Sequence, residues 1–428
     1  MKIFVIVLFL TVYALIIALP KFKVIITGAA CVVSATFCLI FGYVTFAELF
    51  TSVDYNVLLM LVGIMITVGL FSESNMPNKL ADKLICRIPN SLVAITILAV
   101  LSGFVSAFID NVATVLMLAP IGLAVARKTD VSPIPVIIAI AVSSNLQGAA
   151  TLVGDTTSIM LGSFADMSFF DFFFLDGKPS IFWAVELGAL LTIPVILLIF
   201  RKDKKTLSLE GEDIKVTTIM PTVLLLLTIA LLIGSSFLPD KFFLTNGLIC
   251  VGLAIIGIIY NSIKFRTNPV KTVKKSLDYE TVLFLFFLFI LICTVESVGI
   301  IDDMSNFFID IGGTNVFLLY TVIVFGSVIF SAFIDNIPYV ATMLPVIKGL
   351  TAGLTGVSPY LFYFGLLCGA TLGGNLTPVG ASANVVGIGI LKKEGLNVKN
   401  KDFFKIGIPF TLVAVVSAYL FVWLVWGM

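Results

Sequence analysis

The sequence predicts an all-α polytopic membrane protein made of two inverted-topology repeats, and three observations support this fold class. The 428-residue chain is 59% hydrophobic and 12% charged, with a mean hydropathy of +1.15, whereas soluble proteins carry about twice that charge. Apolar windows of roughly 18 residues or more recur from end to end, as in membrane-spanning helices. Short motifs of the first half also recur, in order, in the second half.

The apolar windows predict the helices in two similar series. The first repeat, 1–200, has windows at 3–19, 24–44, 55–73, 91–109, 112–126, 133–164 and 181–200. The second repeat, 218–428, has windows at 219–238, 242–260, 281–298, 315–334, 337–350, 359–391 and 406–427. The polar segment 201–217 between them is predicted to be a cytoplasmic linker. The first window is longer than the apolar part of a usual signal peptide, so we expect it to be a retained helix.

Three pairs of motifs indicate an internal duplication, because they keep nearly the same offset. The pairs are Asp54-Tyr55 and Asp278-Tyr279 (offset 224), SAFIDN at 106–111 and 331–336 (offset 225), and TLVGDTTSIM at 151–160 and TPVGASANVV at 377–386 (offset 226). Each repeat is predicted to contain five crossings, one re-entrant hairpin and a broken helix. Five is an odd number, so the second repeat would be an inverted copy of the first.

The distribution of basic residues predicts the orientation in the plasma membrane. With the linker in the cytoplasm, 22 of the 26 Lys and Arg residues fall on the cytoplasmic side, as the positive-inside rule requires. Both termini are then extracytoplasmic. The windows 112–126 and 337–350 have about 15 residues each, or roughly 22 Å of helix, against a hydrocarbon core of about 30 Å. We therefore expect these arms to be re-entrant.

Composition excludes several classes of function. The net charge of +1 argues against a nucleic-acid partner. The chain has no His, its six Cys lack paired spacing, and it has no phosphate-binding loop motif. We therefore predict a transporter rather than an enzyme, with no cofactor. A separate ATPase partner remains open.

Acidic residues within or at the ends of the apolar windows are the first candidates for a site. They are Glu73, Asp110, Asp155, Glu186, Glu296 and Asp335. No Lys or Arg is predicted at their depth, so we expect them to have no ion-pair partner. An isolated carboxylate in the membrane must be protonated, bound to a cation or placed in a wet cavity. Glu73 and Glu296 are expected to snorkel, and Glu186 to lie near the outer interface.

The two SAFIDN motifs give the strongest candidates. We predict that Asp110 with Asn111, and Asp335 with Asn336, bind Na⁺ or a proton, although Asp is also a preferred N-cap. The long windows 133–164 and 359–391 are interrupted by Gly, Pro, Ser, Thr and Asn, and unwound backbone at membrane depth is tolerated where it lines a site. The candidate substrate- or ion-binding residues of these interruptions are Asn145, Thr151, Gly154, Asp155, Thr156, Asn375, Thr377, Gly380, Ser382 and Asn384.

Four stretches carry a resemblance to a known family. They are SAFIDNVATVLMLAP (106–120), SAFIDNIPYVATMLP (331–345), SSNLQGAATLVGDTTSIM (143–160) and LGGNLTPVGASANVVGIG (372–389). They resemble the ArsB/P-protein branch of the ion transporter superfamily, which includes arsenite permease and citrate transporter-like members. The resemblance implies an inverted-repeat secondary transporter whose hairpins and broken helices form the site. Related divalent-anion/Na⁺ symporters carry Ser-Asn-Thr at the hairpin tips, where this chain has Asp-Asn-Val and Asp-Asn-Ile. The common G-D-P-P-N of the family is G-D-T-T-S here.

The leading functional hypothesis is a secondary transporter of a small inorganic oxyacid or anion, arsenite-like, coupled to H⁺ or Na⁺. A Na⁺- or H⁺-coupled citrate or dicarboxylate transporter, a cation/proton antiporter and a passive channel remain alternatives. We expect 91–164 plus 315–391 to form a mobile transport unit, with the helices at 24–44, 55–73, 219–260 and 281–298 as a stationary frame. The expected partners are the small anion or neutral oxyacid and the lipid bilayer, and a homodimer through the frame remains open.

Overall fold

The computed structural model describes residues 2–85, 88, 90–206, 214–238, 241–313 and 315–428. The expectations for Cys86, for Arg87 and for the middle of the linker, 207–213, lie outside these residues. Nearly all of the described chain is helical, which confirms the predicted fold class.

The helices of the first half follow the order of the predicted windows. They are α1 (Lys2–Ala18), α2 (Lys23–Ile40), α3 (Phe46–Thr51), α4 (Tyr55–Glu73), α5 (Met76–Ile85), α6 (Ser91–Ser106), α7 (Asn111–Thr129), α8 (Pro133–Gln147), α9 (Thr156–Phe164) and α10 (Ile181–Ile199).

The second half presents a matching series. It contains α11 (Met220–Ser235), α12 (Thr245–Phe265), α13 (Pro269–Ser276), α14 (Tyr279–Ser297), α15 (Ile300–Gly312), α16 (Val316–Ser331), α17 (Asn336–Ala352), α18 (Pro359–Gly373), α19 (Ser382–Lys393) and α20 (Asn400–Trp426). The two breaks are residues 148–155 between α8 and α9, and residues 374–381 between α18 and α19, the latter beginning with a short 3₁₀ turn.

Equivalent residues cap equivalent helices in the two halves. The side chain of Asp54 accepts a hydrogen bond from the backbone of Val57 at the start of α4. In the same way, the side chain of Asp278 accepts one from the backbone of Thr281 at the start of α14. The remaining equivalent caps are Asn90 on α6 and Asn315 on α16, and Asp110 on α7 and Asp335 on α17. Asp and Asn are favoured at N-caps because their side chains satisfy free backbone N–H groups. The duplicated sequence therefore starts its helices at the same places twice.

The halves pack against each other through reciprocal contacts. Helix α4 packs against α12, and α2 packs against α14, although α2 and α12 are equivalent, as are α4 and α14. In the same way α9 contacts α17 and α19 contacts α7. Exchange of this kind is what an approximate two-fold relation between two copies produces. Helix α8 is buried along most of its length, and the apolar side of α12 is exposed, as expected for a helix that faces lipid.

Two details differ from the sequence prediction. The arm predicted as 15 residues is longer, because α7 has 19 residues. At 1.5 Å per residue it measures about 28 Å, so the argument from a short arm is wrong for α7. It is one of seven helices among the described residues that are long and apolar enough to cross a membrane. Re-entrance of the hairpins stays a prediction.

A small β-hairpin was not foreseen by the all-α prediction. Strand β1 (Phe174–Leu175) pairs antiparallel with β2 (Lys178–Pro179). The two turn residues between them, Asp176 and Gly177, both have positive φ. Asp-Gly is a favoured sequence for such two-residue turns, which need positive φ at both positions. The sequence FLDGKP therefore carried a local hairpin signal within an otherwise helical chain.

Candidate substrate and ion site

A cavity of about 560 Å³ brings together the hairpin tips and both broken helices. Of the residues predicted for the site, those that line it are Asp110, Asn111, Asn145, Asp155, Thr156, Asp335, Asn336 and Ser382. They come from both halves of the chain. The cavity therefore unites residues separated by more than half of the sequence.

Each hairpin tip directs an Asp-Asn pair into this cavity. Asp110 accepts a hydrogen bond from the backbone of Ala113 at 3.1 Å, and Asp335 accepts one from Ile337 at 3.5 Å. Both aspartates are therefore N-caps in fact. Each bond engages one carboxylate oxygen, Oδ2 of Asp110 and Oδ1 of Asp335, so capping does not occupy the whole carboxylate.

A chain of buried amides joins the two halves behind the cavity. Asn111 donates to Asn145 at 3.1 Å, and Asn145 donates to Asn375 at 3.1 Å. Asn384 donates to the same Asn375 oxygen at 3.4 Å. Two further bonds run to backbone carbonyls, from Asn145 to Thr371 and from Asn375 to Val142. Buried amides with this many partners fix the relative position of the elements that carry them.

The predicted residues that do not line the cavity hold the breaks in place. The hydroxyl of Thr151 donates to the carbonyl of Ala107, and that of Thr377 donates to the carbonyl of Ala332. Each bond ties a break to the neighbouring hairpin tip. Thr151 and Thr377, predicted as ligands, therefore have positioning contacts in the structure.

Gly154 and Gly380 also act through close backbone contact. A Cβ at position 154 would lie 2.6 Å from the carbonyl oxygen of Gly148, and one at position 380 would lie 2.6 Å from that of Gly374. Real Cβ atoms do not approach so closely, so these positions require glycine. The same pair of contacts at an offset of 226 residues shows that the two breaks follow the same path.

Charge distinguishes the two breaks. Asp155 caps α9, with its Oδ1 accepting from the backbone of Thr156 at 2.7 Å, and it lines the cavity. Its counterpart Ala381 precedes α19 without a side-chain cap. Ser158 donates to the carbonyl of Gly148, and Asn384 at the equivalent position donates to that of Gly374. The break of the first half thus carries the carboxylate, and the second keeps only neutral groups.

The expectation that these carboxylates have no basic partner is wrong for two of them. Lys23 Nζ lies 3.6 Å from Asp335 Oδ2, and Lys275 Nζ lies 2.7 Å from Glu73 Oε1. Both lysines line the cavity. Lys23 is the first residue of α2, and its ammonium also lies over the ring of Phe284 on α14. The sequence placed Lys23 in a cytoplasmic segment, and only the packing of α2 against α14 brings it beside Asp335.

Sequence reasoning also missed Asp278 as a lining residue. It was used as a marker of the duplication, and the structure places it and Thr281 on the wall of the cavity. Its equivalent, Asp54, lines a second cavity of about 980 Å³ together with Leu152, Asp166 and Lys241. Equivalent residues of the two halves therefore face different cavities.

Helix α4 and the first break separate these two cavities. Met60, early in α4, lines the second cavity, and Met65, one turn further, lines the first. In the break, Leu152 faces the second cavity and Asp155 faces the first. Leu152 is buried and packs against Gly162, where an added Cβ would lie 2.2 Å from it. The Asp155 carboxylate is thus reached from the first cavity.

Sequence comparison assigns this architecture to a family. The model of the citrate transporter family CitMHS matches residues 6–364. The chain belongs to the CitMHS citrate transporter family. The match covers both hairpins and the first broken helix, so the superfamily resemblance suggested by the SAFIDN stretches is confirmed.

Relatives and solved structures that are similar to this chain include proteins named as transporters. The chain is similar to the uncharacterized transporter Rv2685 of Mycobacterium tuberculosis, with 32% identity over 437 residues and 99% of each chain covered. It is also similar to the P protein of Mus musculus, with 25% identity over 85% of this chain and 53% of that protein. Its fold is similar to that of the Alcanivorax borkumensis YdaH transporter, with a TM-score of 0.62 and 15% identity, covering 90% of this chain and 88% of that one. The CitMHS chain is therefore an integral, multi-pass membrane transporter.

Proposed function

We propose that this CitMHS protein is a secondary active transporter that moves a small anion across the plasma membrane, coupled to H⁺ or Na⁺. The observation that carries the proposal is the meeting of Asp110, Asp155 and Asp335, from both halves, in one cavity. Among the described residues, Asp110 and Asp155 have no ion-pair partner. Unpaired carboxylates at membrane depth favour a bound cation or proton, so we assign the coupling ion to them.

The amide and hydroxyl groups beside these carboxylates suit a Na⁺ ion as well as a proton. Asn111 and Asn145 reach the cavity with Asp110, and Thr156 reaches it with Asp155. Hard cations prefer carboxylate, carbonyl and hydroxyl oxygens. We therefore keep Asp110, Asn111, Asp335 and Asn336 as the proposed cation ligands at the tips, and add Asp155 from the break.

The family description favours a citrate-type carboxylate as the substrate over the arsenite-like oxyacid that the sequence placed first. The cavity contains five carboxylates, those of Glu73, Asp110, Asp155, Asp278 and Asp335, and its two lysines are already paired with carboxylates. A bare multivalent anion would be repelled from such a wall. We therefore propose that the carboxylate enters together with a cation.

A neutral oxyacid such as arsenite is the second candidate, and the ion pairs favour it. Lys23 and Lys275 are engaged, so among the described residues no unpaired basic side chain lines the cavity. A neutral substrate needs hydrogen-bond partners rather than a counter-charge. The amides of Asn111, Asn145 and Asn336 supply them.

Alternating access is supported by the two cavities on either side of α4. The substrate would leave the first cavity when the break and hairpin tips move past α4 and the site opens toward the second cavity. The amide chain and the bonds from Thr151 and Thr377 tie tips and breaks together. We therefore propose that 91–164 plus 315–391 move as one unit against α2, α4, α11, α12 and α14.

The orientation proposed from the basic residues can be tested separately. Both termini would be extracytoplasmic, and Lys204, an exposed residue of the linker, would be cytoplasmic. In a cysteine-free background, Lys204→Cys should react with a membrane-impermeant maleimide only after the membrane is opened. Reaction in intact cells would contradict the orientation.

The decisive experiment is transport in proteoliposomes with imposed pH or Na⁺ gradients. The panel contains labelled citrate with and without Mg²⁺, a dicarboxylate and arsenite. We expect one gradient to drive accumulation of one substrate class, and unlabelled substrate on the opposite side to stimulate exchange. Equilibration that ignores both gradients, without exchange, would instead indicate a channel. Asp302→Asn, an exposed substitution on α15, is the matched control for variants of the cavity.

A further inference from the structure

A third, smaller pocket lies on the other side of α8 from the amide chain. Its volume is about 60 Å³, and α6, α8, α10 and α20 surround it. The polar side chains that line it are those of Ser143, Gln147, Glu186 and Thr192. None of them belongs to the cavity described above. Glu186 was expected near the outer interface. The structure places it in the wall of this pocket, between the surrounding helices.

Two oxygen-bearing groups of this pocket lack a donor. Gln147 is 6% exposed, and its buried Oε1 has no hydrogen-bond partner. Its amide is fixed against α6, where an added Cβ at Gly103 would lie 3.1 Å from its Cδ. Glu186 has neither a hydrogen bond nor an ion pair within the described part of the chain. Two acceptors thus share one small pocket, and neither accepts a hydrogen bond within the described part of the chain, which indicates a missing proton or cation.

We propose that this pocket is a proton-binding site, in which Glu186 is a carboxylic acid and its O–H donates to Gln147 Oε1, directly or through a pocket water. A bare carboxylate among apolar helices costs several kcal/mol. A single proton removes that charge and gives the Gln147 oxygen its donor. The pocket has room for about two waters at roughly 30 Å³ each.

A metal cation fits this pocket less well than a proton. The hydroxyl of Thr192 already donates to the carbonyl of Ala189, which leaves Ser143, Gln147 and Glu186 as side-chain ligands. Hard cations take about six oxygens. Of the residues lining the pocket from α6, α8, α10 and α20, Glu186 is the one titratable group, so no neighbouring charge opposes or replaces its proton.

The pocket is connected to the transport site through the end of α8. Gln147 is the last residue of α8, and its backbone carbonyl accepts a hydrogen bond from Ala150 in the first break. Asn145, two residues earlier, belongs to the amide chain. At an offset of 226 residues the second half has Gly373 and Leu412 in place of Gln147 and Glu186. The proton site is thus a property of the first half, where Asp155 also lies.

The test measures protonation without any substrate. Purified wild-type protein and the variants Glu186→Gln and Gln147→Leu are compared by infrared difference spectroscopy across a pH change, and by labelling with the hydrophobic reagent dicyclohexylcarbodiimide at neutral pH. We expect a carboxylic-acid C=O band that Glu186→Gln abolishes and Gln147→Leu shifts, because the acceptor is lost. Mass spectrometry should find the carbodiimide on Glu186 and, in Glu186→Gln, no label at that position.

The controls distinguish this site from an exposed carboxylate and from a folding defect. Glu280→Gln, an exposed substitution at the start of α14, should retain the band. Glu186→Gln replaces the acid by a neutral isostere, and its monodisperse elution and unchanged melting temperature would show an intact fold. Equal labelling of Glu186 by a water-soluble carbodiimide, or carboxylic-acid bands that are identical in the wild type and in Glu186→Gln, would overturn the proposal. Failure of citrate or arsenite transport would leave these spectroscopic results unaffected.

Discussion

The breaks of the two halves share a backbone path and differ in charge. In each, a Thr hydroxyl holds the hairpin tip, and a Gly packs against the carbonyl at the start of the break. The first break places Asp155 at the following N-cap, and the second places Ala381 there. The hairpin tips differ too, because Asp335 has Lys23 beside it and Asp110 has no basic partner among the described residues.

This comparison teaches that path and charge are set by different residues. The hydroxyl-to-carbonyl bonds and the glycine contacts that set the backbone path involve no charged group. The two breaks can therefore share one path although their charges differ. The charge depends on single positions that differ between the two halves, such as Asp155 and Ala381. As a result, the unpaired negative charge of the cavity lies mostly in the first half, with Asp110 and Asp155. We expect the coupling cation to be bound there.

The largest effect is expected from Asp110→Asn. Asn is also a good N-cap, so α7 should still start correctly while the charge is lost. Gradient-driven transport in proteoliposomes should fall by about a hundredfold or more, since a loss of roughly 3 kcal/mol in ion binding is a factor of about 100. Asp335→Asn should cost less, because Asp335 is already paired with Lys23. An equal loss in both variants would contradict the assignment of the cation to the first half.

A charge exchange between the breaks tests the same difference directly. Asp155→Ala should abolish coupling, and it should also destabilise α9 by about 1 kcal/mol through loss of its cap. Ala381→Asp should introduce a cap at α19, which has no side-chain cap now, and return a carboxylate to the site from the other half. We expect the double variant to fold and to recover ion-driven transport in part, measured as in the first prediction. Full activity of Asp155→Ala alone would mean that its carboxylate serves only as a cap.

Glycine substitutions test the shared path rather than the charge. Gly154→Ala and Gly380→Ala should each lower stability by about 1–3 kcal/mol, because the added methyl group meets a backbone carbonyl that cannot move easily. Thermal unfolding in detergent should give similar shifts for the two variants. Gly234→Ala on α11, with nothing within 4 Å of the new Cβ, is the control and should be neutral or slightly stabilising. Very different shifts at 154 and 380 would show that the breaks are not equivalent.

The smallest expected effect on stability is that of Lys23→Met. The side chains of Lys23 and Asp335 are 20% and 28% exposed to the cavity, so losing the pair should cost about 1 kcal/mol rather than the larger cost of a fully buried pair. Asp335 is then free to bind a cation, so transport should saturate at a lower concentration of the coupling ion. The double variant Lys23→Met with Asp335→Asn should remove that shift. A saturation curve that does not move in Lys23→Met would show that Lys23 does not compete for Asp335.

The sequence by itself determined that most of the chain lies in lipid, which segments are helical and that the two halves are duplicated. Long apolar windows show which segments lie in lipid. Those segments must be helical, because each backbone N–H and C=O group there needs a hydrogen-bond partner within its own helix. Asp, Asn and Gly fix where helices begin and break, because caps and tight contacts depend on residues a few positions apart. Asp155 lies within an apolar window, and Asp110 and Asp335 each lie where two windows meet, so all three could be identified from the sequence as candidates for a site.

The tertiary structure alone decided which of these groups meet. The amide chain from Asn111 to Asn384 joins residues of both halves, and Lys23 reaches Asp335 because α2 packs against α14. Glu186 and Gln147 share a pocket because α10 packs on α8. No local pattern encodes such meetings. They depend on how whole helices pack, and packing is settled by the sum of many weak contacts along each interface.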